Sequence, residues 1–225
     1  MWKDILALFR GGGLCEEAFD EALLMLDESH GMFKDAVAAL RQEGMMAADI
    51  YERDQQLNKY ERSVRRKIVT HMSVSAKPDI NMGLVLTAIV IDIERIGDYT
   101  KNITELANGL DAPFDGLELD ADVREIEGIV DGMFTDIGPA LRQSDEAGAR
   151  RIIAAHTKVA ERVEHDIRRL RDSEVLAGRS GHAVTVGLHL RFLKRVSAHL
   201  KNVATSVVNP YHRIGFRETE GSSGA

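Results

Sequence analysis

From Phe19 onward the apolar positions fall at Phe19, Leu23, Leu26, His30, Phe33, Val37 and Leu40, alternating steps of four and three. That spacing lines one face of a long α-helix and leaves its other faces polar. Such a face needs a partner helix, and the chain supplies several. Ile50, Leu57, Tyr60, Val64 and Ile68 predict a second helix. It should stop near Ser73 to Pro78, because Pro78 disfavours helical geometry at Lys77. A third is predicted from about Ile80 to Asn108, with Leu86, Ile89, Ile93, Ile96, Thr100 and Ile103 on one stripe. At 1.5 Å per residue it is about 42 Å long. β-Branched residues seldom alternate with polar ones, so strands are not expected.

The stretch from Gly109 to Gly116, which holds Pro113, reads as a linker, and after it the same order returns. Helices are predicted from about Asp122 to Gln143, from Glu146 to Asp172 and, after a Gly/Ser-containing break at Ala177 to Gly181, from Ala183 to Val208. The last carries Val186, Leu190, Leu193, Val196, Leu200, Val203 and Val207, again in heptad-like spacing. Pro139 lies within the fourth pattern and should kink or split it, since it removes an interior hydrogen bond. The segment Ile93-Glu94-Arg95-Ile96 through Lys101-Asn102-Ile103 aligns with Leu193-Lys194-Arg195-Val196 through Lys201-Asn202-Val203, with apolar, Arg, Lys and Asn positions in register. A period this long marks a doubled module and not a solenoid. The expected fold is all-α: two tandem three-helix-bundle repeats, residues 14–110 and 117–210, forming one elongated helical bundle. Residues 1–13 read as an amphipathic segment and glycine linker, and 211–225 as a tail.

Composition narrows the class without changing the fold. Of 225 residues 44% are apolar, which suffices for a core and excludes a disordered chain. The longest nearly apolar run, Ile80 to Ile91, is too short for a bilayer span and ends in Asp92. The opening Met1-Trp2-Lys3-Asp4 lacks the order of a secretory signal, and the single Cys15 cannot form an internal disulfide, so a cytoplasmic protein is expected. A net charge of −7 argues against nucleic acid as a partner. The charge is uneven: Arg150, Arg151, Lys158, Arg162, Arg168, Arg169 and Arg171 crowd one helix, while the preceding segment from Asp111 to Glu146 is strongly acidic. Opposed charges of this kind help neighbouring helices select one another, with a docking patch as the alternative.

Candidate chemistry concentrates on one carboxylate face. Glu94 and Asp98 are four apart on a helix and share a side of it, about 140° or more from the apolar stripe. Asp54, Asn58 and Glu61 group on the second helix, at the edge of its own stripe. Together they could form an oxygen-rich site; alone, each group reads equally as a solvated face. Oxygen donors favour magnesium, calcium, manganese or iron over zinc.

The run Glu94-Arg95-Ile96-Gly97-Asp98 with Asn102-Ile103, preceded by Asp54-Gln55-Gln56-Leu57-Asn58-Lys59-Tyr60-Glu61, resembles the PhoU family, and the resemblance extends over both repeats from about Phe19 to Val208. It implies two three-helix PhoU-like repeats, each with an E(D)xxxD motif that can hold a multinuclear iron or zinc cluster. It also implies a non-enzymatic regulator that links a phosphate transporter, a phosphate-responsive sensor kinase, or both, to phosphate supply, reaching the membrane only through those partners. Asp54, Asn58, Glu61, Glu94 and Asp98 are then the candidate metal residues.

Asn58 stands where the family has a second acid. In the second repeat His156, Ala160, Lys194 and Ala198 replace Asp54, Asn58, Glu94 and Asp98, which argues against a second carboxylate cluster. Arg191, Lys194, Arg195 and Lys201 instead make that face basic, suited to an anion or an acidic partner surface or, more simply, to solubility. Readings from other classes are a metal-dependent hydrolase or metal-storing bundle using the same carboxylates, and a structural oligomerisation module; a homo-oligomer is compatible with all three.

No GxSxG, P-loop or dinucleotide fingerprint occurs, and Gly11-Gly12-Gly13 lacks the strand and lysine of a phosphate cradle. His30 reads as a core-edge residue and His165 as exposed. Trp2, Ile5, Leu6 and Phe9 form one side of a short amphipathic segment, which could pack on the bundle or dock on a membrane-bound partner. Asn209-Pro210 should stop the last helix, and the tail after it, residues 211–225 through Gly221 to Ala225, is expected to be disordered.

Overall fold

The computed structural model describes residues 13–41, 49–110, 113, 114, 116–173 and 179–218. Its α-helices are α1 (Leu14–Leu40), α2 (Ile50–Val74), α3 (Ile80–Asn108), α4 (Asp120–Gln143), α5 (Glu146–Asp172) and α6 (Ser180–Val208), with short 3₁₀ turns at Leu117–Leu119 and Tyr211–Arg213. Among the described residues there is no strand. No described helix is long and apolar enough to cross a membrane. The amphipathic segment around Trp2 and the glycine-rich stretch ending in Ala225 lie outside the described residues.

Each unit is an up-down-up bundle. In the first, Lys67 on α2 reaches Glu17 and Glu21 on α1, whereas Arg53 reaches Glu28 and Asp35, which makes the pair antiparallel. Along α2 and α3 the meeting points are Leu57 with Gly97 and Met72 with Gly83, again antiparallel. The second unit repeats the plan. Asp122 and Glu125 of α4 pair with Arg162 and Arg169 of α5, so the acidic and basic segments do match neighbouring helices. Glu164 of α5 then pairs with Arg191 and Lys194 of α6.

Equivalent helices of the two units also meet antiparallel. Asp92 on α3 accepts hydrogen bonds from His199 Nδ1 at 2.6 Å and Asn202 Nδ2 at 2.9 Å on α6, and the Tyr99 ring lies against Phe192 and His199. On the other side α1 crosses α4, with Phe33 and His30 against Phe134, and His30 Nε2 donating to Asp131 at 2.6 Å. His30 is thus a satisfied residue at the core edge. The predicted stripes are buried except at His30, Val37 and Tyr60, which are partly buried at the core edge, and the buried side chains form one continuous core shared by both units. Each fully buried Leu or Ile contributes about 1.5–3 kcal/mol.

A second tie between the units is polar. Arg41, the C-cap of α1, sends its guanidinium into α4, where Nη2 donates to both oxygens of Glu127 at 3.1 and 2.9 Å and Nη1 donates to Asp120 at 2.7 Å. His189 on α6 donates from Nε2 to the same Glu127 at 2.8 Å. Phe114, from the linker, covers this cluster: its ring lies 5.4 Å from the Arg41 guanidinium carbon and edge-on to His189, while its backbone N–H donates to the Leu40 carbonyl.

Some boundaries and breaks differ from expectation. Helix α1 begins at Leu14, ahead of the stripe that opens at Phe19, and the small residues Cys15 and Ala18 continue its buried face. Pro139 does not split α4, which runs on to Gln143. The proline sits one turn from the helix end, where it removes only one ladder bond, and Ile137, Ala140 and Leu141 are buried on either side of it. Residues 211–218 pack back onto the second unit. Asn209 Nδ2 donates to the carbonyls of Arg213 and Phe216, Thr205 accepts from the N–H of Gly215, and Glu218 pairs with Arg150. Gly215 has φ +85°, a left-handed turn that suits glycine.

Candidate functional site

Close approach of α2 and α3 brings the first-repeat carboxylates together. Gly97 makes it possible: a Cβ there would lie 2.3 Å from Leu57 Cδ1, inside the packed core. With Leu57 seated against Gly97, Asp54, Asn58 and Glu61 on α2 come level with Glu94, Asp98 and Lys101 on α3. The acids are not on an open face. Side-chain exposures of Asp54, Glu61 and Glu94 are 16%, 14% and 16%, and that of Asp98 is 29%. Burial first, then the neighbouring Asp98 charge, push the Glu94 carboxyl above the usual carboxylate range, with Glu61 and Asp54 adding to the effect. Electrostatically, the acids of the two helices therefore form one group.

Cations of the chain already sit among them. Lys101 Nζ donates to Asp54 Oδ1 at 3.0 Å and to Asp98 Oδ1 at 3.3 Å, bridging the two helices. Arg95 pairs with Asp98 at 3.0 Å and lies 3.7 Å from Glu94, and Arg65 pairs with Glu61 at 2.6 Å. Burial alone would lower the proton affinity of Lys101, but the hydrogen bonds and charges of Asp54 and Asp98 outweigh it and leave the amine above its ordinary value. Asn58 turns its amide Nδ2 back to the Asp54 carbonyl at 3.0 Å.

The equivalent place in the second repeat has the opposite character. His156 Nδ1 donates to Ser197 Oγ at 3.0 Å, and that hydroxyl donates to the Lys194 carbonyl. Burial, then the charges of Lys201 and Lys194, push the His156 imidazole down to about 4, so it is neutral at physiological pH. Lys201, the counterpart of Lys101, has no carboxylate on His156 or Ala198 to meet. It donates instead to the Gly215 carbonyl at 2.7 Å, and burial lowers its proton affinity, only partly offset by Asp92. Of the other predicted basic residues, Arg191 and Lys194 share Glu164, whereas Arg195 is exposed. The structure therefore brings together Asp54, Glu61, Glu94 and Asp98 but divides the basic set between a salt bridge, a backbone carbonyl and solvent.

Sequence reasoning passed over Lys101 and Ser197 as site residues, and Arg41, Glu127 and His189 entirely. Lys101 could have been found from its place three residues after Asp98; the rest depend on which helices meet. His165, as expected, is exposed.

Residues 22–107 match the family model of the PhoU domain. That match falls within the first three-helix unit. Over both units the chain has the fold of PhoU proteins: it is similar to PhoU from Pseudomonas aeruginosa, with a TM-score of 0.77 and 23% identity, covering 87% of this chain and 95% of that one. It is likewise similar to the phosphate transport system regulatory protein PhoU from Streptococcus pneumoniae, with a TM-score of 0.75 and 14% identity over 86% of this chain and 93% of that one. No curated protein matches the sequence significantly.

The iron or zinc cluster that the resemblance implies does not fit the donors as they are arranged. Among the described residues no group of three or more His, Cys, Asp or Glu side chains is placed to hold a metal ion. An ammonium stands between Asp54 and Asp98, and the Asn58 amide is turned into its own helix.

Proposed function

We propose that this protein is a cytoplasmic, non-enzymatic adaptor that regulates phosphate uptake or phosphate-responsive signalling. It acts by docking a phosphate transporter, a phosphate-responsive sensor kinase, or both. The match of residues 22–107 to the PhoU domain model supports the class of function, as does a structural relative named as a phosphate transport system regulatory protein. The observation that carries the mechanism is the reversal of charge at equivalent positions of the two repeats. Glu94 in one becomes Lys194 in the other and Asp98 becomes Ala198, so the half-buried acidic cluster of the first repeat is answered in the second by a lysine held on Glu164 beside an exposed Arg195. Such faces select complementary partner patches and suppress wrong ones. Membrane contact comes through the partner.

The test is genetic and quantitative. In a strain lacking this protein, phosphate uptake and a phosphate-starvation reporter are measured in phosphate-rich medium, then again with the wild type or the Lys194→Glu/Arg195→Glu variant supplied. The expected outcome is deregulated uptake or reporter output, restored by the wild type and not by the variant. Uptake and reporter output that are indifferent to the protein would sink the proposal.

A further inference from the structure

We infer that Lys101 is the resident counter-ion of the first-repeat carboxylate face, occupying the position a divalent cation would need, so that the wild-type face takes up no metal and opens to one only when Lys101 is replaced. The inference is independent of the regulatory reading, because its test measures metal and not phosphate.

Three observations carry it. The first is position. The Lys101 ammonium is within hydrogen-bond distance of Asp54 on α2 and Asp98 on α3, the two acids that would have to share a metal across the helix pair. A divalent cation bound to the same oxygens at about 2.0–2.6 Å would lie almost on top of a fixed positive charge. The second is enclosure. The Lys101 side chain is 21% exposed, against 55% for Arg95 and 46% for Arg65, so it is inserted between the helices while the arginines reach in from solvent. The third is the internal comparison. Lys201 occupies the same place in the second repeat, where no acid stands on the neighbouring positions, and its ammonium takes a backbone carbonyl instead. The lysine is therefore part of the framework of both repeats, and only in the first does it meet carboxylates.

The experiment uses the full chain, purified without chelator and titrated with Mn²⁺ and with Zn²⁺, alongside Lys101→Met, Lys101→Arg and Lys101→Met/Asp98→Asn. Circular dichroism confirms that each variant is folded. The wild type and Lys101→Arg should show no saturable site. Lys101→Met should gain one that binds about tenfold or more tighter than any residual wild-type binding, since a unit charge about 3 Å from a divalent ion is removed. Adding Asp98→Asn should abolish the gain. A stoichiometric metal in the wild type, lost on Glu94→Ala/Asp98→Ala, would overturn the inference. So would a folded Lys101→Met protein as indifferent to metal as the wild type, because the ammonium would then not be what closes the site.

Discussion

Replacing Arg41 by Met should cost about 3–5 kcal/mol of stability, the range for removing one partner of a buried ion pair. The structure supports the upper part of the scale. The Arg41 and Glu127 side chains are only 2% and 9% exposed. Coulomb attraction at about 3 Å with an effective dielectric of about 20 is itself on the order of 5 kcal/mol. Asp120 suffers less, because it is 29% exposed and retains Arg124 at 2.8 Å. Glu127 would keep only His189. Methionine preserves the aliphatic volume against Phe114, so the loss reports charge and not a cavity. The sharper comparison is Arg41→Met/Glu127→Leu. It leaves no uncompensated charge, only an unpaired His189 N–H, and should cost about 1–2 kcal/mol. The double variant should thus be more stable than Arg41→Met alone. Equilibrium unfolding in urea, followed by far-ultraviolet circular dichroism, decides it. A single variant within about 1 kcal/mol of wild type, or a double variant less stable than either single one, would refute the argument that this network is a buried, mutually dependent unit.

Gly97→Ala should destabilise by about 1–3 kcal/mol through the clash with Leu57 despite alanine's better helix propensity, whereas Gly128→Ala, where a Cβ meets nothing within 4 Å, should gain up to about 1 kcal/mol; thermal melts of the pair separate packing from propensity. His156, with its folded-state pKa pushed down to about 4 against 6.5 unfolded, contributes stability that is complete above about pH 6.5 and is lost as the pH falls towards 4. His156→Gln should flatten the stability profile across that window, and an NMR titration placing the imidazole near its ordinary value would contradict the premise. Burial, with the Asp79 charge adding to it, raises the Cys15 thiol to about 11. Thiol reagents at pH 8 should therefore modify the native protein about tenfold or more slowly than the denatured chain; equal rates measured by mass spectrometry would show the thiol to be accessible.

The helices were readable because each bundle position imposes a 3.6-residue period on a long stretch, and the duplication was readable because Arg, Lys and Asn repeat with it. Burial at the site was not. A helical wheel sets Glu94 and Asp98 opposite the apolar stripe of α3 and so suggests solvent, yet α2 covers that side once Leu57 seats against Gly97, leaving Glu94 with 16% exposure. The bridge from Lys101 to Asp54 follows from the register of α2 against α3, which no local pattern encodes, whereas its pairing with Asp98 three residues earlier is local. Arg41, Glu127 and His189 lie on three helices from two repeats. Each alone is an ordinary polar residue beside an apolar stripe, and only the antiparallel meeting of the units makes them a network. Pro139 shows the converse: its local rule allowed a split, yet α4 continues to Gln143 with Ala140 and Leu141 buried beyond the proline.

The antiparallel pairing of α3 with α6 makes the molecule a natural object for transposition. Glu94→Lys and Asp98→Ala in the first repeat, with Lys194→Glu and Ala198→Asp in the second, would trade the motif charges of the two surfaces while leaving the net charge at −7. Because equivalent helices lie side by side in opposite directions, the trade amounts to turning the pattern of charge end for end on an unchanged scaffold. A partner that responds only to overall charge would not register the difference. One that reads direction would bind the exchanged molecule the wrong way round.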